Sequence, residues 1–183
     1  MQIQSLTIPD VKIITPVRHA DERGFFCEAY NQADFAAAGI DIPFVQDNHS
    51  LSVPQGTVRG LHFQTAPFAQ AKLVRVLRGA IIDVAVDLRR ASPTFGQHVS
   101  ALLSAAEGNQ ILVPVGFAHG FATLEPDTEI LYKVSAPYSR EHDKGLLWND
   151  PALNIAWPVA PEAAVLSAKD RAQPSLSQIG NPF

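Results

Sequence analysis

The chain has 183 residues, 46% of them hydrophobic and 17% charged, which is enough apolar material for one sizeable core without a second domain. A formal charge of −4 with 14 scattered Lys and Arg excludes an extended nucleic-acid surface, and no apolar run approaches membrane-spanning length. Cys27 is the sole cysteine, which excludes an internal disulfide and a thiolate metal cluster.

The first residues, Met-Gln-Ile-Gln-Ser-Leu-Thr-Ile-Pro, lack the basic-then-apolar pattern of a secretory leader, so a soluble, cytoplasmic protein is expected. Alternating or β-branched runs predict strands over residues 11–17, 44–52, 57–64, 71–78, 80–88, 98–104, 110–113, 119–125 and 128–135. Gly56, Gly79, Gly108 and Gly116 stand where antiparallel strands must turn, and that spacing suits a sandwich or barrel. Asn31 can cap a short helix over 32–38 that Gly39 ends, and a second helical segment is expected within 162–172. Residues 157–161, rich in proline, read as a surface connection.

Two glycine-bounded segments carry the chemistry. The run Gly56-Thr-Val-Arg-Gly-Leu-His62-Phe-Gln64, then Lys72 and Gly79, resembles the first cupin motif, and Gly108 followed by Pro114-Val-Gly116-Phe-Ala-His119 resembles the second. The resemblance implies an all-β, cupin-like antiparallel β-barrel (jelly roll) with a few short peripheral helices. Where metal-binding cupins place three His and a Glu, this chain has His62, Gln64, Lys72 and His119. An ammonium has no lone pair to give a metal, so no metal is expected.

A histidine kept beside a lysine suits proton abstraction next to a carbonyl: the imidazole removes a carbon-bound proton and the cation stabilises the enolate. Lys72 shares a strand face with Val74 and Val76, and Tyr132 shares one with Ile130 and Val134, so both point inward. Strict alternation puts Arg59 and His62 on opposite faces. Both can line one pocket only if Gly60 permits a bulge, which is therefore predicted. Asp83 alternates inward with Ile81 and Ala85 and is assigned no catalytic role.

At full length the chain resembles the dTDP-4-dehydrorhamnose 3,5-epimerase family. The match runs from Asp21-Glu-Arg-Gly-Phe-Phe through Gln46-Asp-Asn-His-Ser, Arg59-Gly-Leu-His-Phe-Gln, Lys72-Leu-Val-Arg-Val and Gly116-Phe-Ala-His-Gly-Phe to Leu146-Leu-Trp-Asn-Asp-Pro. The resemblance implies a homodimer that, with no cofactor, inverts C3 and C5 of a 4-keto-6-deoxyhexose carried on dTDP, with residues 18–30 adding strands across the interface. By motif it makes His62 the base, Asp170 its orienting carboxylate, Tyr132 the proton donor on the opposite sugar face, and Lys72 the group that polarises the C4 oxygen. It assigns substrate contacts to Arg23 and Arg59 at the pyrophosphate and to Glu28, Gln46, Asp47 and Asn48 at polar edges. Phe26 and Tyr138 would flank the thymine, with His119, Asp143 and Lys169 as further contacts.

Three other readings stay open at this level: a mono-epimerase acting at C3 or C5 alone, a metal-dependent cupin oxygenase, and a non-catalytic sugar-nucleotide-binding barrel. Deuterium exchange separates the first and third, and stoichiometric metal would mark the second.

Overall fold

Apolar residues at period two give the chain its strands, and the computed structural model, which describes residues 1–183, arranges them as two antiparallel sheets. In chain order the elements are β1 (Gln2–Ser5), β2 (Lys12–Thr15), β3 (His19–Asp21), β4 (Gly24–Phe26), α1 (Gln32–Ala37), β5 (Gln46–Ser52), β6 (Val58–Gln64) and β7 (Lys72–Arg78). They continue as β8 (Ala80–Asp87), β9 (His98–Ser104), β10 (Gln110–Val113), β11 (Phe117–Thr123), β12 (Thr128–Val134), β13 (Asp143–Gly145) and α2 (Ala168–Arg171). One sheet runs β1-β2-β10-β7-β12-β5 and the other β13-β6-β11-β8-β9, while β3 and β4 form a separate hairpin. This is the all-β, cupin-like barrel expected from the sequence. No helix is long and apolar enough to cross a membrane.

The main core lies between the sheets, where Val74, Val76, Ile111 and Ile130 of the first meet Ile81, Ala85, Leu103, Phe117 and Phe121 of the second. Burying each of the larger of these side chains contributes about 1.5–3 kcal/mol. The outer faces are covered too. Around α1, Phe35 and Ile40 pack on Ile14, Leu73 and Leu112, and the C-terminal segment lays Ile155, Leu176, Ile179 and Phe183 over Leu61, Val84, Val86 and Leu146. Cover on both faces explains why β8 reads as an almost unbroken apolar run in which Asp83 stands out.

Asn31 caps α1 as predicted, its side-chain oxygen accepting from the amides of Ala33 and Asp34. The second helical segment is shorter than expected, four residues at α2. Strands β1, β3, β4 and β13 were not foreseen: each has three or four residues, mostly polar or exposed, and so carries no alternation to read.

The predicted irregularity in β6 is present. His62 pairs with His119 and Arg59 with Phe121, so two residues of β6 stand opposite the single Gly120 of β11. Gly60 makes this possible: its φ is +128°, and a Cβ there would lie 2.6 Å from the Gly120 Cα. The bulge turns Arg59 and His62 to the same face.

Candidate active site

Between the sheets a cavity of about 260 Å³ is lined by Arg59, His62, Lys72, His119, Tyr132, Lys169 and Asp170, with Val74, Phe121 and Ile130 as its apolar wall. An adjoining recess of about 170 Å³ shares His62, Lys72, Tyr132 and Lys169 and adds Gln46, Asn48, Gln64, Tyr138 and Asp143. The two sheets contribute different groups. His62 on β6 and His119 on β11 come from one, Lys72 on β7 and Tyr132 on β12 from the other.

His62 Nε2 lies 2.5 Å from Asp170 Oδ1, so an Nε2 proton is held there and Nδ1 is left as the basic nitrogen. Asp170 is buried at the end of α2. Although burial pushes its carboxyl up, hydrogen bonds and charge from His62, a bond from Ser167 and the nearby Lys169 together hold it below the usual carboxylate range. Ser167 also caps α2 by accepting from the Asp170 amide, which locks the carboxylate in place.

Lys72 is buried, and its ammonium donates to the His62 carbonyl at 3.3 Å. Burial lowers its pKa to about 8; Asp83 and then Asp143 pull it back up, and Lys169 pushes it down. Asp83 lies wholly inside the protein, and one of its oxygens is 2.8 Å from His119 Nε2. Tyr132 is shifted the other way: burial above all, and Asp143, push its hydroxyl up from the ordinary phenol value against the pull of Arg59, and so favour the protonated form. The site therefore offers a base backed by a carboxylate, a low-pKa ammonium and a protonated phenol.

Of the other residues singled out from sequence, Arg59 enters the cavity rim, its guanidinium held by Ser52 Oγ and the Leu51 carbonyl at 3.0 Å each. Gln46 and Asn48 point into the recess and bond each other at 2.7 Å. Asp47, between them on β5, points outward to Lys133, as alternation requires. Asp143 and Lys169 form an ion pair at the recess, and Asp143 also accepts from the Tyr138 hydroxyl. Arg23, Phe26 and Glu28 are not brought to the cavity. Arg23 and Phe26 sit at the β3–β4 hairpin, where Arg23 pairs with Asp21 and Phe26 is 67% exposed, and Glu28 borders a separate hollow near Asn31 and Phe35.

Sequence reasoning passed over Ser50, Ser167 and Phe121, all of which line the cavity. For Ser167 a signal existed, since Ser167-Ala-Lys-Asp170 has the spacing of a capping box. No three His, Cys, Asp or Glu side chains cluster to hold a metal ion.

Residues 5–178 match the family model described as dTDP-4-dehydrorhamnose 3,5-epimerase. The enzyme of that name from Sinorhizobium fredii is 56% identical over 183 residues, covering all of this chain and 93% of its own. A crystal structure of the Bacillus anthracis dTDP-4-dehydrorhamnose 3,5-epimerase with TDP and pyrophosphate bound is 50% identical, with a TM-score of 0.92 over 95% of this chain and 98% of its own. The Legionella pneumophila dTDP-6-deoxy-D-glucose-3,5-epimerase in complex with dTDP-4-keto-L-rhamnose is 43% identical, with a TM-score of 0.93 over 97% and 94%. A full-length match at this level, on a cavity holding a carboxylate-backed imidazole, an ammonium and a phenol, places the chain among the isomerases as a member of the dTDP-4-dehydrorhamnose 3,5-epimerase family.

Proposed function

We propose that the chain converts dTDP-4-dehydro-6-deoxy-D-glucose to dTDP-4-dehydro-L-rhamnose by inverting C3 and C5, both of which flank the C4 ketone. The observation that carries this reading is the position of His62 and Tyr132, which reach one cavity from opposite sheets. Inversion needs a proton removed from one face of the carbon and another delivered to the other face.

In each cycle His62 Nδ1 takes the carbon-bound proton, and the electron pair left behind moves into a C=C bond with negative charge on the C4 oxygen. The Lys72 ammonium stabilises that enolate, and its burial makes the charge interaction stronger than it would be in water. Tyr132 then gives its hydroxyl proton to the opposite face, and before the next cycle the phenolate takes a proton from solvent while the His62 imidazolium gives one up to it. Asp170 favours the charged imidazole that forms. Substrate and product have the same atoms, so no oxidant or reductant is consumed.

Arg59, His119 and Lys169 supply positive charge and donors for the pyrophosphate, and Gln46, Asn48 and Tyr138 bound the recess that takes the nucleoside. The chain acts as a homodimer, with Arg23, Phe26 and Glu28 serving the cavity of a second copy. Their distance from their own cavity and the exposure of Phe25 and Phe26 support this.

The test is solvent deuterium uptake into dTDP-4-keto-6-deoxyglucose, followed by proton NMR. The wild type is expected to label C3 and C5, and Tyr132→Phe to slow product formation by about 10²-fold or more. Label at one carbon only would make the chain a mono-epimerase. Binding without any label would reduce it to a sugar-nucleotide-binding barrel.

A further inference from the structure

Gln64 occupies the position where metal-binding cupins carry their second imidazole, and a carboxamide there can serve neighbouring backbone groups instead. Its carboxamide is buried and fully engaged by backbone. The side-chain nitrogen donates to the carbonyls of Phe68 at 2.7 Å and Pro137 at 3.1 Å, and the side-chain oxygen accepts from the Ser139 amide at 2.7 Å. Both N–H donors are used, and the acceptor is used at least once.

Two of these partners, Pro137 and Ser139, bracket Tyr138 on either side. The segment between β12 and β13 has no regular ladder, so side chains replace one. Gln70 donates to the Ala136 carbonyl at 2.7 Å, and Gln46 accepts from the Tyr138 amide at 3.1 Å. The Tyr138 ring is left 59% exposed at the mouth of the recess, its hydroxyl on Asp143, which stands opposite Gln64 in the β13–β6 pairing. An exposed aromatic ring stacks on a nucleobase with little entropy loss only when its backbone is already fixed.

We infer that Gln64 is the positioning residue for the Tyr138 platform and that it sets affinity for the nucleotide end of the substrate rather than the speed of the carbon-acid step. This rests on the proposed reading of Tyr138 as the base-stacking ring. No close relative of the carboxamide can replace it. Glutamate has no N–H for the two carbonyls, histidine cannot bridge three backbone groups in this geometry, and methionine fills the space but leaves all three unpaired.

The test measures dTDP binding by calorimetry and turnover of dTDP-4-keto-6-deoxyglucose in the full-length protein. Gln64→Met is expected to raise KM and the dTDP dissociation constant about tenfold while kcat falls less than threefold. In a Tyr138→Ala background the same change should alter affinity less than twofold, because the ring it positions is gone. A full tenfold effect in that background, or a loss of kcat at unchanged KM, overturns the inference. Should Gln64→Met fail to fold, Gln64→Asn, shorter by one methylene and still polar, is read in the same way. A Tyr138→Ala variant with unchanged dTDP affinity removes the stacking reading itself; loss of affinity there but none on changing Gln64 removes only the role of Gln64.

Discussion

His62 and His119 stand directly opposite one another in the β6–β11 pairing, and each has its own buried carboxylate behind it, Asp170 for the first and Asp83 for the second. The two dyads differ in what surrounds them. Asp170 is held by Ser167 and lies next to Lys169, whereas one Asp83 oxygen has no partner at all and its charge acts on Lys72. On the proposed mechanism the His62 dyad handles the carbon-bound proton, while the Asp83 charge favours the ionised form of Lys72.

His62→Ala should reduce deuterium exchange at both carbons by about 10³-fold, the scale of a lost general base. Asp170→Asn should cost about 10²-fold by removing the charge that favours imidazolium. Because the pair acts as a unit, the double variant should be little worse than His62→Ala alone. Single-turnover rates check this, and losses that multiply would show that Asp170 acts apart from the imidazole.

Activity should fall at alkaline pH with a midpoint near 8, as Lys72 loses the proton with which it stabilises the enolate. Tyr132 is shifted upward by burial, away from the region where Lys72 titrates. Asp83→Asn removes the first of the charges that hold the lysine up, so the midpoint should move to lower pH. For stability the sign is opposite. The folded pKa of about 8 is below the ordinary 10.5, so between these values the unfolded chain binds more protons and stability rises with pH. Profiles of kcat/KM and thermal melts over pH 7–10.5 measure both slopes.

Much of the site was legible because period two is strict. It placed Lys72 and Tyr132 inward, and it required Gly60 to break the pattern if Arg59 and His62 were to share a face. The same rule, applied along β5, puts Asp47 outward between Gln46 and Asn48, a distinction that motif matching alone blurred. Asp170 could not be placed by any local pattern. It lies 108 residues beyond its partner and reaches it only because the C-terminal segment folds back over β6, so family resemblance was the sole guide. Strand β13, Asp-Lys-Gly, is too short and polar to announce itself, although it brings Asp143 to the recess.

Gly60→Ala should be among the most damaging single changes. A methyl group would meet the Gly120 Cα at 2.6 Å and the His119 carbonyl oxygen at 2.8 Å, both backbone atoms unable to swing away, and φ of +128° is closed to alanine. Strain of that kind costs on the order of 3 kcal/mol before the clash is counted. For a chain of this size the melting temperature should drop by about 6–12 °C. If the fold survives, Arg59 and His62 should no longer share a face, and exchange activity should be lost even where circular dichroism is normal.

The hairpin β3–β4 pairs only with itself, and such two-stranded ribbons are marginal in water. Yet it carries Phe25 and Phe26, each more than half exposed, and Val17 beside them is 53% exposed. Packing this ribbon against a second copy would remove that apolar surface from water and complete the ribbon's edge. Phe26→Asp should therefore convert a two-chain mass to a one-chain mass in light scattering. Since the same ring is proposed to serve the second copy's cavity, dTDP affinity should fall about tenfold in that variant. A wild type of one-chain mass with full activity would show that Arg23, Phe26 and Glu28 have no part in the site.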